Sequence, residues 1–205
     1  ILFYLLFLSV SVTIAQEITP FKNGDRVVFL GNSITDGGHY HSYIWLYYMT
    51  HFPFDEMWMA NCGIGGDTSD NILKRIDGDV FSKRPNVITL TFGMNDTGYY
   101  EYNGSNPEAF GNGKVAWAHG KYLEIEKRLK GLNNTSIVLI GSSPYDDTSK
   151  FNKDAFKNKN SYMQKIVAFQ DSAAKANNWG FIDFNAPMTK INQDFQKVDS
   201  TFTIC

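Results

Sequence analysis

Ser33, Gly66 and Asn95 are the residues of this 205-residue chain whose types and settings could do chemistry together. Ser33 lies in Gly31-Asn32-Ser33-Ile34-Thr35-Asp36, directly after an apolar run. A serine held at such a tight turn presents its hydroxyl at the end of a strand. Its own backbone N–H can point the same way and donate to an oxyanion. Gly66 lies in Asn61-Cys62-Gly63-Ile64-Gly65-Gly66-Asp67-Thr68. Glycine lets the backbone come close to a ligand, and an N–H at a helix start is a natural donor to negative charge. Asn95, in Gly93-Met94-Asn95-Asp96, offers a neutral and directional side-chain amide. Each block alone also reads as a turn or a helix cap. Their order and spacing carry the weight.

Those blocks must be placed by the elements around them, and each follows an apolar run. Strands are predicted at Arg26–Gly31, Met57–Cys62, Asn86–Phe92, Ser136–Ile140 and Gly180–Phe184. Their nearly continuous apolar character suits a parallel sheet buried on both faces. Helical patterns lie between them at Tyr43–Thr50, Thr68–Asp77, Gly113–Leu129 and Asn160–Asn177, with a last one at Pro187–Gln196. Asp67-Thr68-Ser69 is good N-cap chemistry for the second of these. The alternation predicts an α/β protein, a three-layer α/β/α sandwich on a five-stranded parallel sheet with flavodoxin-like order. Gly98–Gly113 breaks the rhythm and is expected to be a surface excursion near the ligand-binding edge of the sheet.

In these three blocks the chain resembles the SGNH/GDSL hydrolase family. That family has a Ser in a G-D-S-like block, then a Gly block, a G-x-N-D block and a D-x-x-H block. The resemblance runs over roughly residues 25–200 and implies the SGNH hydrolase fold. It maps Ser33 to the nucleophile, Gly66 to a backbone oxyanion donor and Asn95 to the side-chain donor. The implied reaction is ester hydrolysis through an acyl-enzyme on Ser33, without metal or organic cofactor. A histidine would take the Ser33 proton, oriented by an aspartate three residues earlier. Asn32 stands where the family has Asp and is read as supporting the turn. The serious departure is that no D-x-x-H follows Asn95. His39, His41, His51 and His119 are the only histidines, and none is expected to act as the base. The acid and base are therefore expected beyond Cys205, the chain as given being a near-inactive fragment incomplete at both ends.

Residues 1–15, ILFYLLFLSVSVTIA, are too short to span a bilayer and fit the apolar part of a secretory signal peptide. The hydrolase domain is then expected over residues 16–205, secreted or periplasmic, with no stable membrane association. Net charge is −2 and charged residues are 20%, so no basic face is implied and nucleic acid is an unsuitable partner. Cys62 and Cys205 are read as free thiols, although export would permit a disulfide. Metal-ligand spacing is absent from the sequence. The expected substrate is a small-molecule or carbohydrate ester, an acetylated sugar first, with Tyr99, Tyr100 and Tyr102 able to stack on sugar faces. Two rivals stand beside this reading. One is a flavodoxin-like module cradling phosphate near Ser33, and the other a non-catalytic glycan-binding relative of the family.

Overall fold

The computed structural model describes residues 18–153 and 155–205. The apolar segment at residues 1–15 lies outside them. The elements in chain order are β1 (Arg26–Gly31), α1 (Ser33–Asp36), α2 (His39–His51), β2 (Trp58–Gly63), α3 (Ser69–Asp79), β3 (Val87–Phe92), α4 (Pro107–Lys130), β4 (Ser136–Gly141), α5 (Lys159–Asn177), β5 (Gly180–Asp183) and α6 (Asn185–Gln196). All four strand pairs are parallel, and the sheet order is β2-β1-β3-β4-β5. This is the predicted three-layer sandwich.

Every strand needs two covered faces, because alternate side chains point to opposite sides. In β1, Val28 and Leu30 join a core with Ile72 and Ile76 of α3, Tyr122 and Ile125 of α4, and Ile166 of α5. Val27 and Phe29 face the other way, where Met59, Val87 and the α2 residues Tyr40, Ile44 and Tyr48 pack. Phe184, at the start of α6, meets the Tyr40 ring edge-on, the centroids being 6.4 Å apart. Among the described residues no helix is long and apolar enough to cross a membrane.

Two expectations on element bounds are corrected. The excursion after β3 is shorter than predicted, because α4 begins at Pro107 rather than Gly113. Asn106 caps it through its side-chain oxygen, which accepts from the Ala109 N–H at 3.3 Å. Proline suits the first helical turn, where its missing N–H would have no partner anyway. α2 also starts earlier than predicted, at His39, after Gly38 in a left-handed conformation. The short helix α1 is an addition that the sequence pattern did not reveal.

Candidate active site

The Ser33 turn is built by the residue before it. Asn32 is fully buried, and its side-chain oxygen accepts from the Ile34 N–H at 3.1 Å, so Asn32 caps α1. The Asn32 carbonyl accepts from the Thr35 and Asp36 N–H groups at 3.0 and 2.8 Å. Ser33 is thereby the first residue of α1, exposed at the end of β1, with its hydroxyl spared from capping. The supporting role read for Asn32 is what its hydrogen bonds show. Its buried Nδ2 has no hydrogen-bond partner among the described residues.

Sheet order brings the other two blocks alongside. β1 lies between β2 and β3, so the loops after these three strands share one edge. Gly63, which ends β2, pairs in register with Gly31. A Cβ on Gly63 would overlap the Asp36 backbone nitrogen, so only glycine allows α1 to sit against β2. Gly66 is exposed with φ +83°, a left-handed conformation that favours glycine. Thr68 then caps α3 in a reciprocal pair with Asn71. The Asn95 Nδ2 donates to the Asp67 carbonyl at 2.8 Å, which ties the third block to the second. An amide nitrogen carries two hydrogens, so the second stays available to a ligand. Neither the Ser33 N–H nor the Gly66 N–H has a hydrogen-bond partner among the described residues.

Four residues outside the predicted set of Ser33, Gly66 and Asn95 hold this edge together. Arg75 of α3 is the first. Its guanidinium donates to the Asp67 carboxylate at 2.7 Å, to the Gly31 carbonyl at 3.1 Å and to the Cys62 carbonyl at 2.8 Å. One side chain thus clamps the ends of β1 and β2 to the Gly66 loop. Asp96, fully buried, accepts from the Ser69 N–H at 2.7 Å and the Gly93 N–H at 2.9 Å. Burial pushes its carboxyl above the usual range, against the pull of those donors. Tyr99 donates its hydroxyl to the Asn95 side-chain oxygen at 2.5 Å. Burial raises the Tyr99 phenol, which keeps it protonated and able to donate. Lys159, the first residue of α5, is fully buried and donates to the Met94 carbonyl at 2.7 Å and to the Gly98 carbonyl.

Two of the three tyrosines expected to stack on a sugar are used otherwise. Tyr102 is buried, with its hydroxyl on the Thr97 carbonyl at 2.8 Å. Tyr99 is committed to Asn95. Tyr100 alone of the three is exposed, at 82%. Three of the four histidines make contacts elsewhere. His41 Nε2 lies 3.0 Å from the Thr35 carbonyl, with its ring stacked on Phe29. His51 stacks on Tyr47, and His119 packs on Phe169. No hydrogen bond joins Ser33 to a histidine among the described residues. Cys62 and Cys205 are free thiols. Burial raises the Cys62 thiol, which makes it a poor nucleophile at neutral pH.

A cavity of about 320 Å³ opens beside Met94, the neighbour of Asn95, with Tyr145, Asp146, Phe151 and Asn152 on its walls. It lies at the edge of the sheet where ligands of open α/β folds bind.

Known structures share this architecture. BT4096, described as a gut microbial diltiazem-metabolizing enzyme, matches with 53% identity and a TM-score of 0.89. The match covers 93% of this chain, and the chain spans 43% of the length of BT4096. Axe2, an acetylxylan esterase from Geobacillus stearothermophilus, matches with 19% identity and a TM-score of 0.68, over 85% of this chain and 83% of Axe2. That second likeness is one of fold. Among curated proteins, none matches the chain. The family model described as GDSL-like Lipase/Acylhydrolase runs over residues 29–203, from the middle of β1 past α6, and takes in all three loops of the sheet edge. On that match the chain belongs to the GDSL-like lipase/acylhydrolase family.

Proposed function

We propose that the chain carries the nucleophile and oxyanion side of a serine ester hydrolase. Ser33 attacks an ester carbonyl and expels the alcohol to form an acyl-enzyme, which water then hydrolyses to free Ser33 and the carboxylic acid. The carrying observation is the pair of unpartnered N–H groups, on Ser33 and Gly66, beside an Asn95 amide held by Asp67 and Tyr99. Three donors fixed in advance at one sheet edge suit the negative oxygen of a tetrahedral intermediate, where a single donor is worth about 2.7–4 kcal/mol. A phosphate-cradling module would give the Asn95–Tyr99 pair no task.

The general base in this reading is a histidine from outside the described residues, since none of His39, His41, His51 and His119 makes a hydrogen bond to Ser33. Without that base a serine hydroxyl is a weak nucleophile, so residues 18–205 alone would turn over very slowly. The substrate class we favour is an acetylated carbohydrate. The acetylxylan esterase activity named for Axe2 supports it, as do the exposed Tyr100 ring and the aromatic cavity beside Met94. The diltiazem metabolism named for BT4096 fits a site that also admits a small drug-like molecule. Export is part of the same proposal and rests on the apolar stretch at residues 1–15.

The test is hydrolysis of an aryl acetate by the full-length protein, with mass spectrometry of the Ser33 peptide under rapid quench. Ser33→Ala should lower turnover by at least about 10³-fold, and one acetyl group should appear on Ser33 in the unaltered protein. Full activity in Ser33→Ala would reject the assignment. Binding of acetylated oligosaccharide without turnover would favour the glycan-binding alternative.

A further inference from the structure

We infer that Lys159 is a positioning residue for the oxyanion donor Asn95, acting through Tyr99 and the loop between Met94 and Gly98. The inference rests on the esterase reading of Asn95 and extends it to a residue 64 positions further along the chain.

Three energetically unfavourable features meet at Lys159. Its ammonium is fully buried, and a buried charge must find strong partners to be tolerated. It is the first residue of α5, where the helix dipole disfavours a cation. The residue before it, Asn158, is held at φ 63°, an uncommon conformation for a residue with a Cβ. Local preferences would not put a lysine here. Such features persist where tertiary structure demands them, most often beside functional sites.

The demand is visible in what Lys159 touches. Its Nζ donates to the Met94 and Gly98 carbonyls, which flank Asn95 on either side. The same ammonium lies 3.5 Å from the centroid of the Tyr99 ring. A cation on a ring face is attracted by the ring quadrupole. Tyr99 in turn donates to the Asn95 side-chain oxygen. The Asp67 carbonyl, which can only accept, turns the amide nitrogen toward the Gly66 loop, and the Tyr99 hydroxyl holds the amide oxygen at the opposite end. Asp96 anchors the same loop from within through the Gly93 and Ser69 N–H groups. Lys159 and Asp96 therefore bracket the Asn95 loop from two sides without touching each other.

A plain structural plug would affect stability and nothing else. A positioning residue should affect the step in which the oxyanion forms. The experiment compares Lys159→Met, Tyr99→Phe and Asn95→Ala, singly and in pairs, in the full-length protein on an aryl acetate. Lys159→Met and Tyr99→Phe should each lower kcat about 10-fold or more with KM within about twofold, and each should add less than about twofold on the Asn95→Ala background. Unchanged kcat in the folded variants, a pure rise in KM, or losses that multiply fully with Asn95→Ala would overturn the inference. Should Lys159→Met fail to fold, Tyr99→Phe decides, since it removes one hydroxyl and leaves Lys159 in place. If Asn95→Ala itself leaves kcat intact, the oxyanion role fails and takes the inference with it. Loss in Asn95→Ala alone defeats only the inference.

Discussion

Asn32 and Ser33 divide the labour at the turn after β1, one residue capping the helix so that the next can keep a free hydroxyl. The same division recurs at Asn95 and Asp96. Asp96 points inward to Ser69 and Gly93, and Asn95 keeps one amide hydrogen for a ligand. Asn95→Ala should accordingly lower kcat by about 10²–10³-fold and leave KM nearly unchanged, because the amide acts on charge that appears only in the transition state. Steady-state kinetics on a single ester would show it, and a rise in KM with kcat intact would contradict it. The three loops that share the sheet edge were legible in the sequence because each is a short block of turn-forming residues after an apolar run. Lys159 and Arg75 were not legible. Their acceptors are brought to them by the tertiary fold, 65 and 61 residues away for Lys159 and 44 residues away for the Gly31 carbonyl of Arg75. No local pattern announces such a partner.

Helix α3 does more than cover the sheet, since its Arg75 ties the ends of two strands to the loop that bears Gly66. The Arg75 and Asp67 side chains are only 14% and 9% exposed, so solvent cannot replace the lost partner. Arg75→Met should cost roughly 3–5 kcal/mol in urea unfolding, the range seen when one member of a buried pair is removed. A loss below about 1 kcal/mol would show that the clamp is dispensable. Glycines of two kinds can be told apart in the same way. Gly63→Ala drives a methyl group into the Asp36 backbone and should destabilise by about 1–3 kcal/mol or more. Gly120→Ala, in the middle of α4 with open space around its Cβ position, should stabilise by about 0.5–1 kcal/mol. Thermal melts of the two variants should move in opposite directions. The strands were predicted to within a residue or so because their apolar runs are short and bounded. The helix starts were missed by up to six residues, because Asn106-Pro107 and Gly38 mark both a loop and a cap and the sequence does not say which.

The five-stranded order followed from the alternation of strands and helices, since right-handed crossovers leave few other arrangements. The two faces of the sheet, and the burial of a charged lysine beneath one loop, emerged only from packing. That lysine couples the stability of the whole molecule to pH. Burial lowers Lys159 to about 7, while the Asp96 charge opposes the shift; Tyr99 and Tyr145 are the other titratable groups that face it. An unfolded lysine titrates near 10.4. Between about pH 7 and pH 10 the unfolded chain therefore holds one more proton here than the folded one, and the contribution of Lys159 to stability rises with pH. Unfolding midpoints of the wild type relative to Lys159→Met should shift in favour of the wild type from pH 7 to pH 9. A constant or shrinking difference would contradict the assignment. The strand order carries one more consequence. Ser33, Gly66 and Asn95 all follow strands of the β2-β1-β3 half, whereas most of the cavity wall beside Met94 comes from the segment after β4. On the proposed esterase reading, the nucleophile with its oxyanion donors and the cavity wall are thus written in separate stretches of the gene. On that reading, a mutagenesis library confined to residues 145–152 should change what the protein accepts and leave Ser33, Gly66 and Asn95 untouched.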